Sequence, residues 1–375
     1  MTHCRSREVL FICGREPEYT RNQIILRALK HNFQVVRVTD SSRPSILRNL
    51  LVILKLLPNL WKGRDGVFVG FYGQPLLPIV KLLTREPIIF DAFVSTYDTL
   101  CFDRKWFKPN SIGGQLAYWL DRYTCLLADK VLLDTKTHAD YFAETFDLPR
   151  EKLSVLYLGY DDNTFYPRDV HPTEDPQKFI VFYYGSFLPL QGIEYIIRAA
   201  KLLERETAIK FEIAGRGSTY RKIRRLARDL ATTNVEFIDW IPYHQLPIAI
   251  ARASICLGGH FSAIGKAQRV IAGKTYQFLA MGKPTIVGDN PANRELFTHK
   301  KNVYMCRMAD EEALAAAIMA LKDDQRLREQ IAAEGFRLVT TTLNTEKLSQ
   351  NLLSIIEKVL PEESPVEPSS STTQP

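Results

Sequence analysis

With 375 residues, 46% of them hydrophobic and 24% charged, the chain has material for two cores and is too apolar for a disordered polymer. Its net charge of +7 argues against an acidic, solvating chain. Six scattered cysteines without a C-x-x-C pair or a zinc-like His spacing speak against a disulfide scaffold or a structural metal and for a reducing compartment.

The start, MTHCRSRE, runs straight into VLFIC without a signal-type apolar stretch, so the expected location is the cytoplasm. Residues 1–64 hold 12 Lys and Arg against 4 carboxylates, a local +8 that leaves −1 for the rest. That asymmetry points to an anionic membrane surface, a phosphorylated substrate or nucleic acid, or else to a solvated face.

In chain order, EVLFICG (8–14), RNQIILRALKHN (21–32) and QVVRVTD (34–40) read strand, helix, strand. SILRNLLVILKLLPNLWKGR (45–64) is helical, with apolar positions 46, 50, 53, 54 and 57 on one face between Arg48, Lys55, Lys62 and Arg64. Lys55 and Pro58 make it a poor membrane span; it is either a crossover helix covering a sheet or an interfacial helix touching lipid. DGVFVG, LLPIVKLLTRE, PIIFDAF (87–93), VLLDT (131–135) and LSVLYLG (153–159) continue an alternation that predicts a parallel sheet.

A Pro- and Asp-rich stretch ending the first domain (1–165) marks a linker at 166–178. The pattern then restarts with FIVFYYG (179–185), IEYIIRAAKLLERE, IKFEIAGRG (209–217), a basic helix to 230, VEFIDW and ICLGGH. A second α/β domain is expected over 179–342, then a C-terminal helix (343–360) packing back on the first domain and a disordered tail (361–375).

The chemistry-bearing segments fall at strand ends. Gly185 follows an apolar strand, Gly192 precedes a helix, and Gly215 and Gly217 follow the next strand, so backbone N–H groups can approach an anion. With the GGHF loop (258–261) and KAQRVIAGKTYQFLAMGKP (266–284) they share the edge where ligands of parallel α/β sheets collect. The last segment opens a helix with Lys266, Arg269 and Lys274 and no carboxylate, although cations oppose a helix dipole there. A bound phosphate resolves that conflict. His260, in the GGHF loop, is either a hydrogen-bonding group for a ligand on this edge or simply a loop histidine. Asn290 to Glu295 either contact a ligand or cap a helix. YRKIRRLARD (220–229) lacks an aromatic platform and reads as a solvated helix face, without specific nucleic-acid binding.

VFYYGSFLPLQGIEYIIRAAKLL, FEIAGRGS with NVEFIDWIPYHQLP, and GKTYQFLAMGKPTIVGDNPANRELF together resemble glycosyltransferase family 4, over most of residues 179–340. The first half is similar more loosely, through Gly14, the PEYTRN loop (17–22) and IIFDAFVSTYDT. The resemblance implies a GT-B type fold of two Rossmann-like domains facing across a cleft, and retaining, metal-independent transfer from a nucleotide-diphosphate sugar without a further cofactor. It places the donor against Gly185, Ser186, Gly215, Gly217, Ile241, Lys274 and Gln277, and a carbohydrate or lipid-linked acceptor near Gly14, Arg21 and Asn22. Catalysis would involve Lys266, Arg269 and a carboxylate, Asp91 or Asp98. The basic stretch 1–64 would offer peripheral contact with an anionic membrane.

The pattern departs from the family at five places. Arg269 and Gln277 stand where two glutamates are usual, Ser186 and Gln191 where Arg and Lys are usual, and Phe93 where His is common. Two readings follow: Lys266 and Arg269 restore the missing positive charge, or the protein is a relative that binds a sugar nucleotide or glycan without transfer.

Overall fold

A computed structural model describes residues 7–14, 17–40, 45–60, 63–168 and 178–360. Most of the linker at 166–178 and the whole tail at 361–375 lie outside the described residues. The first half runs β1 (Glu8–Cys13), α1 (Thr20–Asn32), β2 (Gln34–Thr39), α2 (Ser45–Leu60), β3 (Gly66–Val69), α3 (Leu77–Leu83), β4 (Ile88–Asp91), α4 (Ile112–Leu127), β5 (Lys130–Leu133), α5 (Lys136–Phe146) and β6 (Leu153–Val155). These strands form one parallel sheet in the order β2-β1-β3-β4-β5-β6. A single π-helical turn, Asp98–Asp103, stands between β4 and α4.

The second half runs β7 (Phe179–Tyr184), α6 (Ile193–Leu202), β8 (Ile209–Ala214), α7 (Tyr220–Asp229), β9 (Val235–Ile238), α8 (Leu246–Arg252), β10 (Ile255–Gly259), α9 (Gly273–Ala280), β11 (Thr285–Gly288), α10 (Pro291–Arg294) and β12 (Tyr304–Cys306). Helices α11 (Glu311–Asp323), α12 (Gln325–Thr342) and α13 (Thr345–Ile356) follow. Its sheet is again parallel, in the order β12-β11-β10-β7-β8-β9.

The central strands are apolar on both faces because each sheet is covered twice. In the first half, Leu10, Ile12, Val69 and Phe90 point to a core closed by Val52 of α2, Val80 of α3, Cys125 of α4 and Phe142 of α5. Phe11 and Phe68 point the other way, into a core shared with α1, α13 and Phe278 of α9. Helix α13 lies on α1, where Asn32 Nδ2 donates to Ser349 Oγ at 2.8 Å and Ser349 Oγ donates to the Ala28 carbonyl at 3.1 Å. Among the described residues no helix is long and apolar enough to cross a membrane.

Helix α2 corrects the face assigned to it. Of the expected apolar face, Leu50, Leu54 and Leu57 are exposed while Ile53 packs on the core beside Val52 and Leu56. The helix is a crossover that leaves its leucine stripe uncovered.

Candidate functional site

The carboxyl ends of both sheets converge on one interdomain cleft, built from two adjoining cavities of about 320 Å³ each. From the second half come the residues after β7 (Gly185, Ser186), β8 (Gly215, Arg216), β9 (Trp240, Ile241) and β10 (His260), with Lys266, Lys274 and Gln277. Tyr19, Thr20, Thr99, Asp103, Arg104 and Asp134 face them from the first half. One end is apolar, with Trp240, Ile241, Tyr243 and Leu246; the other carries Lys266, Lys274 and His260.

The glycines are there for close approach. Gly185 and Gly215 have φ of +153° and +130°, and a Cβ on Gly215 would stand 2.1 Å from the Gly185 carbonyl oxygen, a contact no side chain survives. A Cβ on Gly185 would meet Lys274 Cε at 3.0 Å. Gly217 packs instead against the Phe187 backbone, one turn removed from the cleft lining.

Lys274 lies in the first turn of α9 and is only 8% exposed. Its Nζ donates to Gln191 Oε1 at 2.6 Å and sits 4.7 Å from the Tyr183 ring centre, and no carboxylate pairs with it among the described residues. Burial alone pushes its pKa down to about 7, because the cation loses water without gaining a counter-ion. Gln191, one of the departures in the sequence, thus holds Lys274; a lysine at 191 would set two ammonium groups against each other. His260 is pushed down to about 3 by burial and then by Lys274 and Lys266, so it is a neutral ring with an unpartnered Nδ1. Gln277 Oε1 is likewise buried without a partner among the described residues. Unpaired buried polar atoms cost free energy unless a ligand meets them.

Several sequence candidates take other positions. Arg21 and Asp91 form a fully buried ion pair, with Arg21 Nη2 at 2.9 Å and Nε at 3.1 Å from the carboxylate and Nη1 bonded to the Leu156 carbonyl at 2.6 Å. The pair locks α1 to β4, away from the cleft. Asn22 is buried with Nδ2 on Cys13 Sγ at 3.2 Å. Gly14 packs beneath Leu76 and Asn49. None of these four lines the cleft, so an acceptor contact or catalytic role does not fit their surroundings.

Lys266 does line the cleft, with Nζ 3.4 Å from Thr99 Oγ1. Arg269 turns aside. Its Nη2 donates to both oxygens of Asp98 at 2.9 Å, and its guanidinium lies 3.8 Å from the centre of the Tyr141 ring. The counter-ion that its own segment lacks therefore comes from the opposite domain. Asp98, in turn, is spent on that pair. Farther along the interface, Glu295 accepts from the N–H groups of Lys136 and Thr137 at 2.8 and 2.7 Å, and from Tyr157 Oη at 2.9 Å. Asn290 caps α10, its Oδ1 accepting from Asn293 N at 2.7 Å.

Two cleft carboxylates escaped sequence reading. Asp134 follows β5 on the ligand edge, a position that could have flagged it, and its Oδ1 lies in hydrogen-bond contact with His138 Nδ1 at 2.6 Å. Asp103 ends the π-helical turn, where no spacing signal exists. It is nine-tenths buried, its Oδ1 has no partner among the described residues, and burial raises its pKa. No group of three or more His, Cys, Asp and Glu among the described residues is placed to hold a metal.

Two parallel-sheet Rossmann-like domains enclosing such a cleft define a fold of the GT-B type. Solved structures agree: HepE of Anabaena, in complex with UDP, superposes with a TM-score of 0.70 at 14% identity over 94% of this chain and 100% of that one. Sucrose-phosphate synthase of Thermosynechococcus elongatus does so at 0.72 and 12% identity, over 94% and 99%. Residues 169–337 match the family described as glycosyl transferases group 1, so the second half carries a domain of that group. The lipopolysaccharide core biosynthesis glycosyltransferase LpsD of Rhizobium meliloti is 25% identical over 181 residues, 48% of this chain and 50% of LpsD. The chain spans about half the length of the curated relatives it matches.

Proposed function

We propose that the protein is a glycosyltransferase of glycan synthesis that moves a sugar from a nucleoside-diphosphate donor to an acceptor hydroxyl, with retention, as the resemblance to family 4 implies. The observation that carries this reading is Lys274: a buried cation without a carboxylate, beside the Gly185 turn and at the start of α9. A diphosphate there supplies the missing counter-charge, and the nearby glycine turn lets backbone N–H groups reach it. Ile241 and Trp240 offer an apolar wall for a base, and Gln277 an acceptor oxygen for a ribose hydroxyl.

As the bond from the anomeric carbon to the diphosphate breaks, the electron pair leaves with the phosphate oxygen, and Lys274 and Lys266 stabilise the growing charge. The acceptor oxygen bonds to the anomeric carbon, and its hydroxyl proton is directed toward Asp103, a cleft-lining carboxylate whose Oδ1 is buried without a partner among the described residues. Thermal midpoints and donor hydrolysis across UDP-, GDP- and ADP-sugars test the reading. At least one donor is expected to raise the midpoint and to be turned over slowly. A shift without turnover in the presence of hydroxyl acceptors would reduce the protein to a binder, and no shift with any donor would overturn the proposal.

A further inference from the structure

Strands β1, β3 and β4 are neighbours in the first sheet, and the segment after each brings an aromatic ring to the cleft: Tyr19, Tyr72 and Phe93. All three pack around Phe71, which is buried. Between ring centres, Tyr19 lies 4.7 Å, Tyr72 4.8 Å and Phe93 5.8 Å from it. On the buried side, the Arg21 guanidinium lies 5.3 Å from the Phe93 ring. The Arg21–Asp91 pair, itself out of the cleft, thereby fixes part of a wall that lines it. Tyr19 is 41% exposed and, with Thr20, lines both cavities, so this wall adjoins the space assigned to the donor.

Carboxylates continue the wall. Asp134 follows β5, the next strand in the sheet, and Asp103 closes the turn after β4. His138 Nδ1, at 2.6 Å, is the only hydrogen-bond partner of the Asp134 carboxylate among the described residues. An aromatic face is the negative side of a quadrupole and attracts the weakly positive C–H edges of a sugar ring, while a carboxylate accepts from sugar hydroxyls. A hydrocarbon chain in the same place would strip water from both carboxylates and return no hydrogen bond. Charge narrows the class further. Among the first-half residues lining this cavity, the charged ones are Asp103, Arg104 and Asp134, and the Arg104 guanidinium lies over the Trp106 ring at 5.0 Å. With Lys266 and Lys274 facing a donor diphosphate, a second phosphate on the first-half side would meet two carboxylates and the donor's own charge.

We propose that this wall is the acceptor subsite and that the acceptor presents an uncharged sugar ring, stacked on Tyr19, Tyr72 and Phe93, in preference to a sugar phosphate. Calling that ring the acceptor rests on the sugar-transfer reading above; the binding of an uncharged sugar to the wall does not.

Saturation-transfer NMR on the full chain, with and without UDP, tests this with the methyl glycosides of glucose, galactose and mannose and with glucose 6-phosphate as probes. At least one methyl glycoside is expected to bind, with transfer concentrated on its ring C–H protons, and glucose 6-phosphate is expected to bind about ten-fold more weakly when UDP is present. Tyr72 has φ of +59°, a left-handed backbone that asparagine tolerates. Tyr72→Asn is therefore expected to fold and to weaken the glycoside by about ten-fold with the Kd of UDP unchanged, and Tyr72→Phe to bind as wild type does. Asp134→Asn is expected to narrow the preference over the phosphate. Absence of glycoside binding, equal or tighter binding of glucose 6-phosphate, an unaffected Tyr72→Asn, or an unchanged preference in Asp134→Asn would overturn the proposal. A Tyr72→Asn variant that loses UDP to the same degree would do so too, because the wall would then serve the donor. Glycoside binding by a protein that binds no UDP would leave the subsite standing and remove the sugar-transfer reading instead.

Discussion

Lys274 sits in a place that a stable, unliganded protein would not give to a lysine. With a pKa near 7 in the folded chain and about 10.4 when unfolded, the folded state binds fewer protons between those values, so stability rises with pH across that window and the full cost is present below about pH 7. Lys274→Met keeps the volume and removes the charge. It is expected to stabilise the free protein by about 2–4 kcal/mol at pH 6.5, with the gain shrinking toward pH 10. Thermal and urea midpoints of the two proteins across that range check it, and parallel midpoints would remove the basis for calling the cation uncompensated. The sequence made Lys274 legible through its place before an apolar, glycine-stopped helix. It could not show that Gln191 and Tyr183 would be the neighbours, since those contacts join residues 83 and 91 positions apart. For the same reason Arg269 read as a free cation: its partner, Asp98, lies 171 residues away.

At the scale of elements, the domain interface is made by helix starts as much as by apolar packing. The first turn of α5 contains no acidic residue, and its free N–H groups at Lys136 and Thr137 are satisfied by Glu295 from beyond α10. A carboxylate at a helix N-terminus gains from both the hydrogen bonds and the dipole. Glu295→Ala is expected to cost about 1.5–3 kcal/mol, and Glu295→Gln less, since Gln retains an accepting oxygen but not the charge. Chemical denaturation of both variants measures this, and an alanine variant as stable as wild type would show the bridge to be idle. Strands and helices were legible wherever periodicity was strong, as in FIVFYYG and IEYIIRAAKLL. Helix α2 shows the limit: its apolar stripe left open whether it covers the sheet or faces outward, and the structure divides it, with Ile53 packing beside Val52 and Leu56 on the core while Leu50, Leu54 and Leu57 are exposed.

At the scale of the molecule, two parallel sheets present their carboxyl ends to one cleft, and the linkages between domains, Arg269 to Asp98 and Glu295 to α5, keep those ends opposed. The alternation of strands and helices made both halves legible. That they face each other across a cleft came from the family resemblance and not from the alternation, and the pairs that hold them so, distant in sequence, were not legible. The central claim is that this cleft holds a nucleoside diphosphate with its phosphates on Lys274. An anion there should restore the lysine's ordinary pKa, so at pH 8, where the free side chain is mostly neutral, binding must draw a proton from solution. Calorimetric titration with UDP, GDP and ADP at pH 8, in two buffers of different ionisation enthalpy, measures that proton directly. Uptake of about one proton per bound nucleotide, fading toward pH 6 and absent in Lys274→Met, is expected. Binding by wild type with no proton uptake, or no binding of any of the three, would contradict it.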